Sequence, residues 1–263
     1  MPAPLARPLR RAAPTLAAAL ALALAAATAA PAQDGPDFRA MTPEQRQIFR
    51  DEVRAYLLDH PEVLVEAIQE LERRQSVARS ASDADLLAAN RAALFDDGHS
   101  FVGGNPEGDI TLIEFLDYRC SFCRRAHPEI ANLLAGDGNI RWIVKEFPIL
   151  GADSTLSSRF AIAVLQTAGP AAYAEVHDRL MTLRAQVTPE ALARIAAEAG
   201  ADADAVLARM DAPEVSAVIA ANHALAQRLG INGTPTFVLE DSFLRGYVPL
   251  DTMQALVAEA RGG

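Results

Sequence analysis

The sequence predicts an α/β domain that carries a long helical insertion and is preceded by an α-helical N-terminal region. Three observations support this. Two apolar, strand-forming runs, "ITLIEFLDY" (110–118) and "IRWIVKEFPIL" (140–150), flank a helical stretch, and strand–helix–strand order implies a parallel pair with a crossover. Residues 153–229 hold helix starts and stops without a strand pattern. Ahead of residue 98, apolar residues recur at helical spacing.

Residues 1–32 read as a secretory signal peptide. Arg7, Arg10 and Arg11 form a basic start, an apolar run covers 16–27, and Ala30 and Ala32 make an A-x-A cleavage signal near Ala32. The expectation is an exported, periplasmic protein. Removing residues 1–32 takes the formal charge from −10 to −13, a balance that disfavours nucleic acid and anionic lipid as partners.

Residues 33–98 form the expected N-terminal helical region, read as an oligomerisation stalk in which 33–40 is linker. Thr42-Pro43-Glu44-Gln45 reads as a capping box with proline at the first helical position. Ile48, Phe49, Val53, Tyr56 and Leu57 follow at helical spacing, and after His60-Pro61 the stripe restarts with Leu64, Ala67, Ile68 and Leu71. A third helical stretch is expected over 83–94. These stripes need a partner, either the following domain or a second copy of the chain.

The turn-rich "DDGHSFVGGNPEGD" marks the boundary of the domain expected over 99–263. The 110–118 run is nearly continuous in apolar residues, as in a strand buried on both faces. A helix over 120–134 and the 140–150 strand follow. Within the insertion (about 153–229), Asp153-Ser154, Thr188-Pro189-Glu190 and Asp211-Ala212-Pro213-Glu214 supply helix starts, and Gly169-Pro170, Gly200 and Gly230 supply stops. Two strands, "TPTFVLE" and "SFLRGY", and a helix over 250–261 close the chain.

The two cysteines, Cys120 and Cys123, stand three apart in "DYRCSFCRR". A bridge across so short a loop removes little unfolded-chain entropy and is a poor staple. At a helix start, unpaired backbone N–H groups and the positive dipole end favour a thiolate. Cys120 is therefore the candidate nucleophile, and Cys123, one turn inside, the candidate resolving thiol. Arg119, Arg124 and Arg125 are expected to depress the Cys120 thiol further. Glu114, six residues before Cys120 on an apolar strand, either faces a solvent gap or lies buried as a proton acceptor beneath the thiols.

Two alternatives remain open on the residues alone. Cys120, Cys123 and His127 share a helix face and could hold copper or zinc, although a closed zinc site needs four ligands. A stalk-driven holdase is the other. His60, His99, His177 and His223 read as structural or solvated, and Trp142, Met181 and Met210 as core.

"IEFLDYRCSFC", with its acid six before the first cysteine, and the later "GTPTF" resemble the thioredoxin superfamily. The helical insertion between them resembles its DsbA-like branch. The resemblance implies a thioredoxin-like fold, a cis Thr234–Pro235 bond opposite the cysteines, and Thr234 pairing with an extended substrate segment. "AYLLDHPEVLVEAIQELERRQ" resembles the stalk of ScsC-like and Com1-like periplasmic proteins, which implies self-association. The expected activity is thiol–disulfide oxidoreduction on exported cysteine-containing proteins, with a membrane redox partner resetting the pair. No cofactor beyond the redox-active Cys120–Cys123 pair is expected, and no metal. Two departures, Ser121-Phe122 without histidine and threonine before the proline, point toward isomerase- or reductase-type relatives.

Overall fold

The computed structural model describes residues 40–262, so the signal peptide and its cleavage near Ala32 lie outside the described residues. The chain divides into two units, one ending at Ile68 and one running from Gln69.

The first unit holds α1 (Pro43–Asp59) and the start of α2 (Glu62–Ala89). The capping box forms as read: Thr42 Oγ1 accepts from Gln45 N at 3.3 Å, and Gln45 Oε1 accepts from Thr42 N at 2.9 Å. Helix α1 buries no residue. Its Ile48, Val53 and Tyr56, with Leu64, Val65 and Ile68 of α2, all stand exposed.

The second unit contains the rest of α2, α3 (Arg91–Phe95) and a sheet of five strands among the described residues: β1 (Phe101–Gly104), β2 (Ile110–Leu116), β3 (Ile140–Glu146), β4 (Thr236–Leu239) and β5 (Ser242–Arg245). Their order is β1-β3-β2-β4-β5. The β2–β3 pair is parallel and the other pairs are antiparallel. The crossover is α4 (Ser121–Asp137), as the order of segments required. The insertion comprises α5 (Ala152–Thr182), α6 (Pro189–Glu198), α7 (Ala203–Arg209) and α8 (Pro213–Arg228), and α9 (Leu250–Gly262) follows the sheet. Among the described residues, no helix is long and apolar enough to cross a membrane.

Strand β2 is buried along its whole length, and the alternation of a strand sorts its side chains onto two faces. Ile113 and Phe115 point into a core shared with Leu87, Leu94, Phe95, Leu225 and Leu229. Leu112 and Leu116 join the opposite core, which takes in both cysteines, Ala126, Ile130 and Leu133 of α4, and much of α5. By the same alternation Glu114 falls on the cysteine side. Each large apolar side chain buried this way contributes about 1.5–3 kcal/mol.

The turn-rich 96–109 stretch lies inside the second unit. Residues ahead of it, Leu87, Leu94 and Phe95, belong to the core. The fully buried ammonium of Lys145 on β3 donates to Ala93 O at 2.9 Å and to Asp97 Oδ2 at 2.5 Å.

Two local readings change and one holds. "FVGG", read as turn, pairs with β3 as a short strand. The 83–94 stretch is the end of the long α2 together with α3. Gly169-Pro170 interrupts α5 as read: Gly169 takes a non-helical φ of 84°, and a second helical segment follows it across a kink.

Gly104 shows how tightly β1 is seated. Its φ is +66°, and a Cβ there would meet the Ile140 carbonyl oxygen. Gly104→Ala is expected to cost roughly 2–4 kcal/mol, or about 5–15 °C in Tm. An unchanged melting curve would refute this seating.

Candidate active site

The loop between β2 and α4 delivers the cysteines, and Asp117 holds that loop. Its buried carboxylate accepts from Arg119 N at 2.8 Å, Ile149 N at 2.8 Å and Leu150 N at 3.0 Å. Its backbone oxygen accepts from Cys120 N at 3.0 Å. Cys120 is the N-cap of α4 and leaves that helix start without a side-chain cap, so the first-turn N–H groups remain available to its sulfur.

Both cysteines are free thiols, and they differ sharply. The Cys120 thiol is lowered to about 5, chiefly by a hydrogen bond from the Cys123 thiol, then by the Thr234 hydroxyl and the N–H groups of Cys123 and Phe122, against the opposing effect of burial. Protonated, it donates to Thr234 O at 3.2 Å. Burial pushes the Cys123 thiol far up, reinforced by its hydrogen bond to Cys120 and by the Glu114 charge. Phe122, between them, is exposed.

The arginines do something other than expected. Arg124 Nε donates to Tyr118 O at 2.7 Å and its Nη2 to Leu183 O at 2.7 Å. Arg119 Nη1 reaches Leu183 O and Ala185 O, both at 3.3 Å. They brace the loop against the C-terminal end of α5, while hydrogen bonds provide the depression of Cys120.

Glu114 does not face a solvent gap: it is 2% exposed. Burial raises its carboxyl to about 8, the Glu146 and Cys120 charges add to the rise, and Trp142 Nε1, donating at 3.2 Å, opposes it. Glu146, a second buried carboxylate, accepts from Tyr118 Oη at 2.8 Å, Tyr173 Oη at 2.6 Å and Ser158 Oγ at 2.7 Å. Burial raises it to about 7 despite those three donors. His177 Nδ1 lies 3.1 Å from the Tyr118 hydroxyl. Trp142, read as core, is thus also a hydrogen-bond partner of the candidate proton acceptor. Tyr118 and Glu146 went unremarked in the sequence, and the acid ending the second apolar strand was the one signal for them.

Thr234 and Pro235 stand where the resemblance implied, joined by a cis bond. They line a cleft of about 280 Å³ with Gly233, Thr236 and Arg245. His127 turns to Asp178, with Nε2 to Oδ1 at 3.2 Å, and no group of three His, Cys, Asp or Glu that could hold a metal forms among the described residues.

Fold and site together define a class: a thioredoxin-fold protein with the dithiol centre of a thiol–disulfide oxidoreductase. Within that class the chain belongs to the DSBA-like thioredoxin domain family, which it matches over residues 111–258. Residues 45–78 match the copper resistance protein ScsC N-terminal domain. A thioredoxin-like oxidoreductase from Silicibacter pomeroyi DSS-3 is 43% identical, with a TM-score of 0.62 over 66% of this chain and 99% of that one. The thiol-disulfide exchange protein alpha-DsbA2 from Wolbachia pipientis is 25% identical, with a TM-score of 0.65 over 70% and 98%. A periplasmic thioredoxin-like protein from Salmonella enterica serovar Typhimurium is 28% identical, with a TM-score of 0.58 over 66% and 96%. The chain spans about a quarter of the length of the curated relatives it matches, Na(+)/H(+) antiporters 25–28% identical to it.

Proposed function

We propose that this protein exchanges disulfides with exported, cysteine-containing proteins in the periplasm, and that it isomerises them when its N-terminal helices bring copies together. One observation carries the exchange reading: a low-lying Cys120 thiol beside the cis-proline loop, paired with a buried, high-lying Cys123.

With the pair oxidised, a substrate thiolate attacks Cys120 Sγ and Cys123 leaves. A second substrate thiolate then attacks the substrate sulfur of the mixed disulfide and expels Cys120 as a thiolate. The substrate loses two electrons and two protons, and the pair gains the electrons. In reverse, Cys120 attacks a wrong disulfide. Either another substrate thiol displaces it, or Cys123 does so, giving its proton to Glu114 in the fraction of molecules where that carboxyl is ionised. Oxidative turnover needs a membrane redox partner to accept the electrons.

The exposed side chains of α1 and the start of α2 support self-association, because contiguous apolar surface of this kind marks an interaction site. The match of residues 45–78 to the ScsC N-terminal domain supports it too.

The test is reactivation of a scrambled multi-disulfide protein by three chains: residues 33–263, the same chain with Cys120→Ser, and a chain beginning at Gln69. The cut precedes Leu87, Leu94 and Phe95 so that their core is retained. The first is expected to reactivate the substrate and the second to fail. The third is expected to lose reactivation while still exchanging with a dithiol peptide. Equal reactivation by the first and third would refute the role of the N-terminal helices, and no exchange by any chain would refute the whole reading.

A further inference from the structure

A second cleft, of about 570 Å³, opens beside the nucleophile's turn, between α4 and the end of α5. Ser121, the residue after Cys120, lines it with Arg124, Arg125, His127, Thr182 and Arg184. Three guanidiniums in one cleft are unusual in a chain of net charge −10. Arg124 is held by backbone carbonyls and fixed in place. Arg125 and Arg184 are exposed, and Arg125 lies 4.2 Å over the Tyr247 ring, whose hydroxyl donates to Glu129.

The nearby acids have other partners. Asp117 serves the loop's backbone, Asp178 faces His127 at 3.2 Å, and Asp153 stands 3.9 Å from Arg119. Among the described residues, no carboxylate forms an ion pair with Arg124, Arg125 or Arg184. The charges are felt mutually: burial first, then Arg119 and Arg184, make the Arg124 guanidinium easier to deprotonate, with the Asp117 charge opposing them. Clustered guanidiniums with no carboxylate paired to them match the forked, planar geometry that recognises carboxylates.

We propose that this cleft is a specificity subsite that takes Asp or Glu side chains flanking the reacting cysteine of a substrate polypeptide. The inference rests on the exchange reading. Thr234, touching Cys120 on one side, engages the substrate backbone, and the arginine cleft beginning at Ser121 engages its acidic flank. Charges at such a rim chiefly raise the association rate and lose force with salt.

The test uses the reduced chain of residues 33–263 and three peptides carrying one cysteine, flanked by aspartates, serines or lysines. Each cysteine is activated as a nitropyridyl disulfide. Attack by Cys120 on the peptide sulfur forms the mixed disulfide and releases the coloured nitropyridinethiol, which reports the first step. At low salt the aspartate peptide is expected to react about tenfold faster than the lysine peptide, and the two should converge at 0.5 M salt, where charges are screened. In the doubly substituted Arg125→Glu, Arg184→Glu chain, the order is expected to reverse. Arg125→Lys, Arg184→Lys is expected to retain it. The readout is a ratio between peptides, so a uniform change in Cys120 reactivity leaves it unmoved. Equal rates for the peptides, or a ratio that survives charge reversal, would overturn the subsite. Failure of all three peptides, and of a small neutral disulfide, would overturn the exchange reading itself.

Discussion

The reduced protein is expected to be alkylated by iodoacetamide at one sulfur, at a rate that is level above about pH 6, halves near pH 5 and falls about tenfold per unit below. That profile follows from a Cys120 thiol lowered to about 5. At pH 6 such a thiol carries roughly 300-fold more thiolate than one of pKa about 8.5. Cys120→Ser should lower the rate by more than about a hundredfold, because Cys123 is buried and its thiol pushed up. A midpoint near 8 to 9 would refute the hydrogen-bonded thiolate. A folded-state value below the unfolded one stabilises the reduced fold above the unfolded pKa, and this stabilisation is lost as the pH falls through about 5. Stabilising the reduced form also makes the pair a better oxidant.

Glu114→Gln should strengthen the fold and weaken the catalyst. The native carboxyl, raised to about 8 mainly by burial, holds its proton across a window where the unfolded chain, ordinarily near 4.5, has lost it. Stability therefore falls as the pH rises from about 4.5 to about 8. Glutamine has no such titration. At pH 7 the variant is expected to be more stable by roughly 3 kcal/mol, or about 6–12 °C in Tm, with the gap closing below pH 4.5. Reductive release of a trapped peptide by Cys123 should slow about a hundredfold, the lower range for losing a positioned proton acceptor. Thermal melts across pH and quenched-flow release measure the two effects. A variant that releases peptide at the parent rate would remove Glu114 from the mechanism.

The parts of this site legible in the sequence were those written locally. A carboxylate interrupting an apolar strand and two cysteines three apart at a helix start each contradict or punctuate their surroundings, so Glu114, Cys120 and Cys123 stood out, whereas Thr234 and Pro235 came from the family resemblance. The Glu146 network did not, because its donors come from 28, 27 and 12 residues away and only the fold brings them together. Arg119 and Arg124 misled for the same reason: their proximity to the cysteines was visible, but the carbonyls of Leu183 and Ala185 that engage them were not. Strand β1 was hidden by two glycines in a turn-rich stretch. The Gly169-Pro170 pair carried a true signal of a break, since Gly169 leaves the helical region and the two halves of α5 meet there at a kink.

The inequality between the two sulfurs also acts as a clock. Once a client is tethered to Cys120, its release by Cys123 must wait for a buried, reluctant thiol to give up its proton. During that wait the client remains attached but is otherwise free to rearrange, and one of its own thiols can reach the tether first. The depth at which Cys123 is buried therefore sets the odds between sending a client away reduced and letting it find a different pairing.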